Sequence, residues 1–357
     1  MGIIRFLLAV WVCASHVGFS FPLLHFGAGA PAVAAFFVIS GFYMGIILNA
    51  KYRSLDVFYV NRLLRLFPVY FIVFGITLSG LYTLPLTPHH LISWSEFKHG
   101  FAVSNLWGNL YLLFSNLFIG GMDLGFFQVI EPGTNQMSFT SHIGEGGLPV
   151  YQYFLVPQAW TLSLEVYFYL LAPFIVRRFY TIIIALCGSL LCWFIPYWLG
   201  LDFFYYFRFF PVTLSFFTAG AAIQWFYMKR ITWVEQWRYL GIPALGIIVL
   251  ASINYLTIPL DERLKMILFV ALVTISIPFA FALTKQWRCD RFIGELSYPI
   301  YISHLAVSLL VLNIPFVADK PLFSMLGTIV VAIFIYLLIG KRIDVFRQKI
   351  ALDYKKR

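Results

Sequence analysis

Residues 31–49 read PAVAAFFVISGFYMGIILN, a run with no acid and no base. At 1.5 Å per residue a helix of this length crosses most of the roughly 30 Å of hydrocarbon in a bilayer. Its apolar residues do not alternate at period two, as those of a membrane strand would. Lipid offers no partner for backbone N–H and C=O groups, so an isolated span of this kind has to be helical. Comparable runs recur near 3–23, 66–84, 158–176, 180–199, 205–227, 239–257, 265–284, 293–314 and 321–340. The whole chain is 61% hydrophobic and 11% charged, whereas soluble domains carry roughly 25% charged residues. The expected fold is an all-α membrane protein, a polytopic bundle of about ten transmembrane helices in the cell membrane, with no internal repeat and no soluble domain.

The net charge of +10 invites a nucleic-acid partner. That reading is rejected, because the bases sit in short clusters between apolar runs, which is how orientation signals are distributed. Cys13, Cys187, Cys192 and Cys289 lie in or beside apolar segments with no metal or disulfide spacing. The N-terminal stretch resembles a signal peptide, but it runs almost directly into the next span and contains a histidine, so an uncleaved first helix is expected.

Charge also sets topology. With ten spans and a cytoplasmic N-terminus, the outer side holds Lys98, Arg208, Arg263, Lys265 and Lys320, and the inner side holds the other 20 of the 25 Lys and Arg residues. Residues 101–121 are apolar enough to form an extra span, but crossing there would reverse that bias. They are therefore placed as an interfacial or re-entrant helix within an outer loop, 85–157, which also carries His89, His90, His99, Asp123, Glu131, His142 and Glu145 without metal-ligand spacing. Residues 341–357 form a basic cytoplasmic tail.

Ionisable groups inside spans are costly, so each is a candidate functional residue. Arg5 and His16 are eleven residues apart, three helical turns, and share one face with His16 about 16 Å deeper. A cation at the cytoplasmic mouth and a base in the membrane suit a long anionic donor. The plainer alternative is a snorkelling arginine and a histidine bonded between helices. Arg62 and Arg65, in NRLLRLFPVY, could clamp phosphates, or simply mark the inner side. Glu165, in AWTLSLEVYFYLLAP, lies roughly 10 Å from the outer end of its span, a depth matching that of His16. It could orient His16 or receive a proton if the helices adjoin, or serve as a packing carboxylate paired elsewhere. His304 follows Pro299 in its span, where a kink could open a cavity; a structural role is as reasonable there as a functional one.

Taken together, the segments resemble the acyltransferase-3 family of membrane acyltransferases, in family order through most of the chain. Arg5 and His16 fit its pattern of a basic residue, ten residues, then histidine. AAFFVISGFYMG (34–45) resembles its FFxxSGF signature, carrying Ser40, Gly41 and Phe42, and NRLLRLFPVYF resembles its Arg-x-x-Arg segment. AWTLSLEVYFYLLAP, FFTAGAAI (216–223) and LSYPIYISHLAV (296–307) resemble its later signatures, with Thr161 where serine is usual.

The resemblance implies a transmembrane acyltransferase domain over 1–340, of the type without an appended esterase-like domain. It implies transfer of an acyl group, acetyl being the first expectation, from cytoplasmic acyl-CoA to a hydroxyl of an extracytoplasmic glycan or lipid-linked sugar. No permanently bound cofactor and no metal is expected. The implied assignment makes His16 and Glu165 catalytic and gives Arg5, Arg62, Arg65, Ser40 and Gly41 to donor binding, with His304 as a further candidate. The rival reading is a proton-coupled transporter using the buried His and Glu as a relay. It would call for inverted repeats and broken helices at matching positions, and the sequence carries neither.

Overall fold

The structure, a computed structural model, describes residues 1–19, 26–50, 54–84, 94–142, 144–201 and 205–355. His89, His90, Lys51, Arg53, Lys356 and Arg357 lie outside the described residues. The chain is helical nearly throughout. It runs through α1 (Gly2–Val17), α2 (Ala30–Ala50), α3 (Leu55–Thr83), α4 (Trp94–Val103), α5 (Leu106–Phe118), α6 (Trp160–Ile175), α7 (Phe179–Cys192) and α8 (Phe194–Trp198). It continues through α9 (Tyr205–Arg208), α10 (Phe210–Lys229), α11 (Ile231–Gln236), α12 (Gly241–Ile253), α13 (Glu262–Thr284), α14 (Arg288–Leu312), α15 (Lys320–Ile335) and α16 (Lys341–Lys355).

Among the described residues, six segments are long and apolar enough to cross a membrane by length and composition: Ala30–Asn49, Leu55–Thr83, Phe179–Trp198, Glu262–Thr284, Arg288–Leu312 and Lys320–Ile350. Others depart from the lengths read in the sequence. Helix α1 stops at Val17, where Gly18 takes a left-handed φ of 69° and its N–H bonds the Ala14 carbonyl, the C-terminal device that glycine permits without strain. Helix α3 begins at Leu55, eleven residues before the apolar run at 66, so Arg62 and Arg65 sit inside the helix rather than ahead of it. Asn61 and Arg62 are buried there, because α14 and α16 pack against that turn. Helix α14 continues unbroken through Pro299.

The helices are drawn together at glycines. A Cβ added to Gly41 of α2 would stand 1.9 Å from the Phe217 carbonyl oxygen of α10, and one on Gly220 of α10 would stand 1.9 Å from the Val38 carbonyl oxygen. Backbones meet at this crossing as only small residues allow, and Phe37 and Phe168 stack on Phe217 beside it. Helices α1 and α14 use the same device at Gly2 and Gly294. Asp290 of α14 accepts the backbone N–H groups of Gly2 at 2.8 Å and Ile3 at 2.9 Å. A carboxylate there satisfies donors that a helix start leaves unpaired.

The segment 101–121 is divided. Helices α4 and α5 break at Ser104–Asn105, where Asn105 caps α5 by accepting the Gly108 N–H at 2.9 Å. The loop that follows carries a small antiparallel sheet, with β1 (Gln128–Ile130) between β2 (Met137–Phe139) and β3 (Leu148–Pro149). Asp123 ties this loop to α6: its Oδ1 accepts from Ser163 Oγ at 2.8 Å and from the Tyr167 hydroxyl at 3.0 Å.

Candidate active site

A cavity of about 460 Å³ opens where α1, α3 and α14 begin and α13 ends. Its mouth is basic: Arg5 comes from α1, Arg62 and Arg65 from α3, Lys285 from the end of α13, Arg291 from α14 and Arg347 from α16. The acids among them are already committed. Asp290 caps α1, and Glu295 lies 3.7 Å from Arg65. Lys285 is hydrogen-bonded to Glu235, which holds its ammonium above the ordinary lysine range. Cations outnumber acids, so the mouth attracts anions.

Arg62 is the most telling of these cations. It is 5% exposed, and its guanidinium lies over the rings of Tyr169 at 5.7 Å and Phe58 at 5.9 Å. Its Nη2 donates to Asn61 Oδ1 at 3.1 Å, while its Nε has no hydrogen-bond partner among the described residues. A buried donor left unsatisfied on a cavity wall calls for an explanation, and a planar fork of this kind matches phosphate oxygens.

Deeper in, Glu165 accepts on Oε1 from Ser40 Oγ at 3.0 Å and from the Tyr169 hydroxyl. Tyr169 thus lies under Arg62 with its ring and on Glu165 with its hydroxyl, joining the basic end of the cavity to its carboxylate. The inner wall is closed by Thr161 and Tyr301, whose hydroxyls bond at 2.8 Å. Behind Tyr301 stands His304, fully buried, with ring centroids 6.0 Å apart. The ring of His304 is 5.0 Å from that of His16, near the end of α1. Each histidine places Nδ1 on a carbonyl of its own helix, His16 on Val12 at 2.8 Å and His304 on Tyr301 at 2.6 Å. A carbonyl only accepts, so in the neutral ring Nδ1 carries the hydrogen and Nε2 the lone pair.

Arg5, Arg62, Arg65 and Ser40, read from sequence as donor-binding, therefore line one cavity with Glu165, read as catalytic beside His16. Gly41 stands apart from that group, in the α2–α10 crossing, where its missing side chain admits a neighbouring backbone. The matched depths allowed Glu165 to meet His16 if their helices adjoined. Glu165 accepts from Ser40 and Tyr169, and the ring of His304 lies beside that of His16. Depth along separate helices does not say which helices adjoin.

Sequence reasoning missed the tyrosines of the cavity and Arg347. Tyr43, Tyr169, Tyr298 and Tyr301 were not singled out, although each lies inside a motif that was. Arg347 was counted in the basic tail, yet its helix folds back on α3. Its Nε and Nη2 donate to Asn61 Oδ1 at 3.0 and 2.9 Å, and Asn61 Nδ2 returns a bond to the Arg347 carbonyl at 3.1 Å.

The family model described as an acyltransferase domain matches residues 1–340. The chain belongs to the acyltransferase-3 family. It is a membrane acyltransferase, and its apolar helices make it a multi-pass membrane protein. No curated protein and no solved structure matches it. Arg347 lies beyond the matched residues, so in this acyltransferase the cavity mouth is completed by a helix outside the family's shared segment.

Proposed function

We propose that this acyltransferase moves an acyl group, acetyl in the simplest case, from cytoplasmic acyl-CoA to a hydroxyl of a glycan or lipid-linked sugar across the cell membrane. The observation that carries the reading is the single cavity that joins a basic mouth to Glu165 and Ser40 and ends at the wall backed by His304 and His16. The distribution of Lys and Arg supports ten spans with both termini cytoplasmic, and so puts the basic mouth inside.

Arg5, Arg62 and Arg65 hold the nucleotide phosphates at the mouth, and the pantetheine arm extends past Ser40 with its thioester innermost. Glu165 keeps Ser40 and Tyr169 in fixed rotamers along that path. The acceptor arrives from the other side, where His16 is exposed. With Nδ1 donating to Val12, the Nε2 lone pair of His16 takes the proton of the attacking hydroxyl. The acceptor oxygen bonds to the acyl carbon, the C–S bond breaks, and CoA leaves through the basic mouth. The embedded site keeps water from the thioester.

The test uses purified protein in lipid nanodiscs, radiolabelled acetyl-CoA, and envelopes of a deletion strain as the source of acceptor. Label should enter the glycan or lipid fraction with wild-type protein and fail to enter with His16→Ala. Full activity in that variant would sink the mechanism.

A further inference from the structure

We infer that Arg347 is a positioning residue of the donor site: acting through Asn61, it holds Arg62 in the arrangement that leaves Arg62 Nε for an oxygen of the donor's phosphates. The inference rests on the acyl-CoA reading above and adds to it a residue from beyond the family's shared segment.

Arg62 and Arg347 converge on one atom. Asn61 Oδ1 accepts from Arg62 Nη2 at 3.1 Å and from Arg347 Nε and Nη2 at 3.0 and 2.9 Å. Arg347 Nε also reaches the Asn61 carbonyl at 3.2 Å, and Asn61 Nδ2 donates to the Arg347 carbonyl at 3.1 Å. On the far side of the fork, Arg347 Nη1 donates to Asp344 at 2.6 Å. The Arg347 guanidinium is thus held at all three of its nitrogens. Arg62 is held at Nη2, and its Nε has no hydrogen-bond partner among the described residues. Asn61, Arg62 and Arg347 are all buried, and both arginines line the cavity.

The choice of acceptor points to the role. Two like charges drawn to one oxygen repel each other, yet the oxygen between them belongs to a neutral amide. A carboxylate at position 61 would cancel a charge, whereas the amide orients both groups and leaves the charge of Arg62 for a ligand. Asp344 pairs with Arg347, and the other nearby acid, Glu295, faces Arg65 at 3.7 Å. The cation left to bind is Arg62, whose unsatisfied donor a phosphate oxygen would satisfy. Without the Arg347 fork, the Asn61 amide is free to turn, and Arg62 has more rotamer freedom to lose when the donor binds. The fold brings Arg347 to this point through a π turn, Tyr336–Gly340, which links α15 to α16 and precedes the packing of α16 on α3. Such wide turns recur where a helix has to present a functional side chain.

The experiment combines calorimetric titration of CoA into nanodisc protein with kinetics on acetyl-CoA and deletion-strain envelopes. Arg347→Met keeps the apolar stem and removes the fork. It should raise the Kd for CoA and the KM for acetyl-CoA about 10-fold and leave kcat unchanged. In an Arg62→Ala background the same substitution should change nothing further. Arg347→Lys, with the charge but no fork, should behave as Arg347→Met. Asn61→Ala, with both arginines in place, should reproduce the Arg347→Met values, and it decides the matter if Arg347→Met does not fold. An unchanged Kd in these variants overturns the inference. An equal 10-fold step in the Arg62→Ala background overturns it, because Arg347 would then act independently of Arg62. Wild-type binding by Arg347→Lys overturns it, since charge alone would suffice. A fall in kcat with KM unchanged marks a structural role and overturns it. Wild-type protein that binds no CoA overturns the acyl-CoA reading and this inference with it, a result distinct from unchanged binding in the variants.

Discussion

Arg62 and Asp123 show how differently two buried charges are used in this acyltransferase. Arg62 faces the cavity with an unsatisfied Nε and two rings beneath it. A hydrogen bond to a charged group contributes about 1.5–3 kcal/mol, so Arg62→Ala should weaken acetyl-CoA binding roughly 10- to 100-fold. Calorimetric titration of CoA into nanodisc protein checks this, and an unchanged Kd would remove Arg62 from the donor site. Asp123 is 1% exposed and accepts from Ser163 and Tyr167. Burial nonetheless raises its carboxyl above the ordinary aspartate range, outweighing those hydrogen bonds. A folded-state pKa above the unfolded one favours the protonated folded form. The stability it contributes is present below the unfolded pKa and lost as pH rises through the folded one. The substitution Asp123→Asn keeps an oxygen that can accept both hydrogen bonds and removes the titration. Melting of this variant and of wild type, compared at about pH 4 and about pH 8, should favour the variant more at the higher pH. An equal difference at both would contradict the argument.

The helices meet through positions where a side chain is missing. Gly41→Ala would put a methyl group 1.9 Å from a carbonyl oxygen of α10. The crossing would have to open, at a cost of about 1–3 kcal/mol, and Ser40, on the next residue, would move with it. Gly75 of α3 has nothing within 4 Å of an added Cβ, and alanine is the better helix former by about 1 kcal/mol. Gly41→Ala should therefore lower the melting temperature in detergent and reduce activity, while Gly75→Ala should hold or raise it with activity unchanged. Equal behaviour of the two would show that the α2–α10 contact does not set the packing. Helix apolarity alone does not separate the two sites, since both are glycines in apolar helices.

At the level of the bundle, the arrangement of charge assigns direction. All six cations at the cavity mouth come from segments that the positive-inside rule places in the cytoplasm. A reporter fused near Asn135, in the turn between β1 and β2, should therefore read extracytoplasmic, and one near Lys349 should read cytoplasmic. A cytoplasmic signal from Asn135 would invert the proposed route of donor and acceptor.

The apolar runs, the clustering of bases and the shared face of Arg5 and His16 are legible in the chain alone, because each depends on helix periodicity and on the cost of charge in hydrocarbon. Those are local quantities, set within one span. Partnership between spans is not. Glu165 meets Ser40 across 125 residues, Arg347 meets Asn61 across 286, and His304 joins His16 from the far end of the chain. Such pairings follow from which helix faces can approach closely, and that is decided by small residues such as Gly41, Gly220 and Gly294 acting together. The candidate residues could thus be read from the sequence, but their division into a basic cavity and a histidine pair behind Tyr301 required the packed bundle.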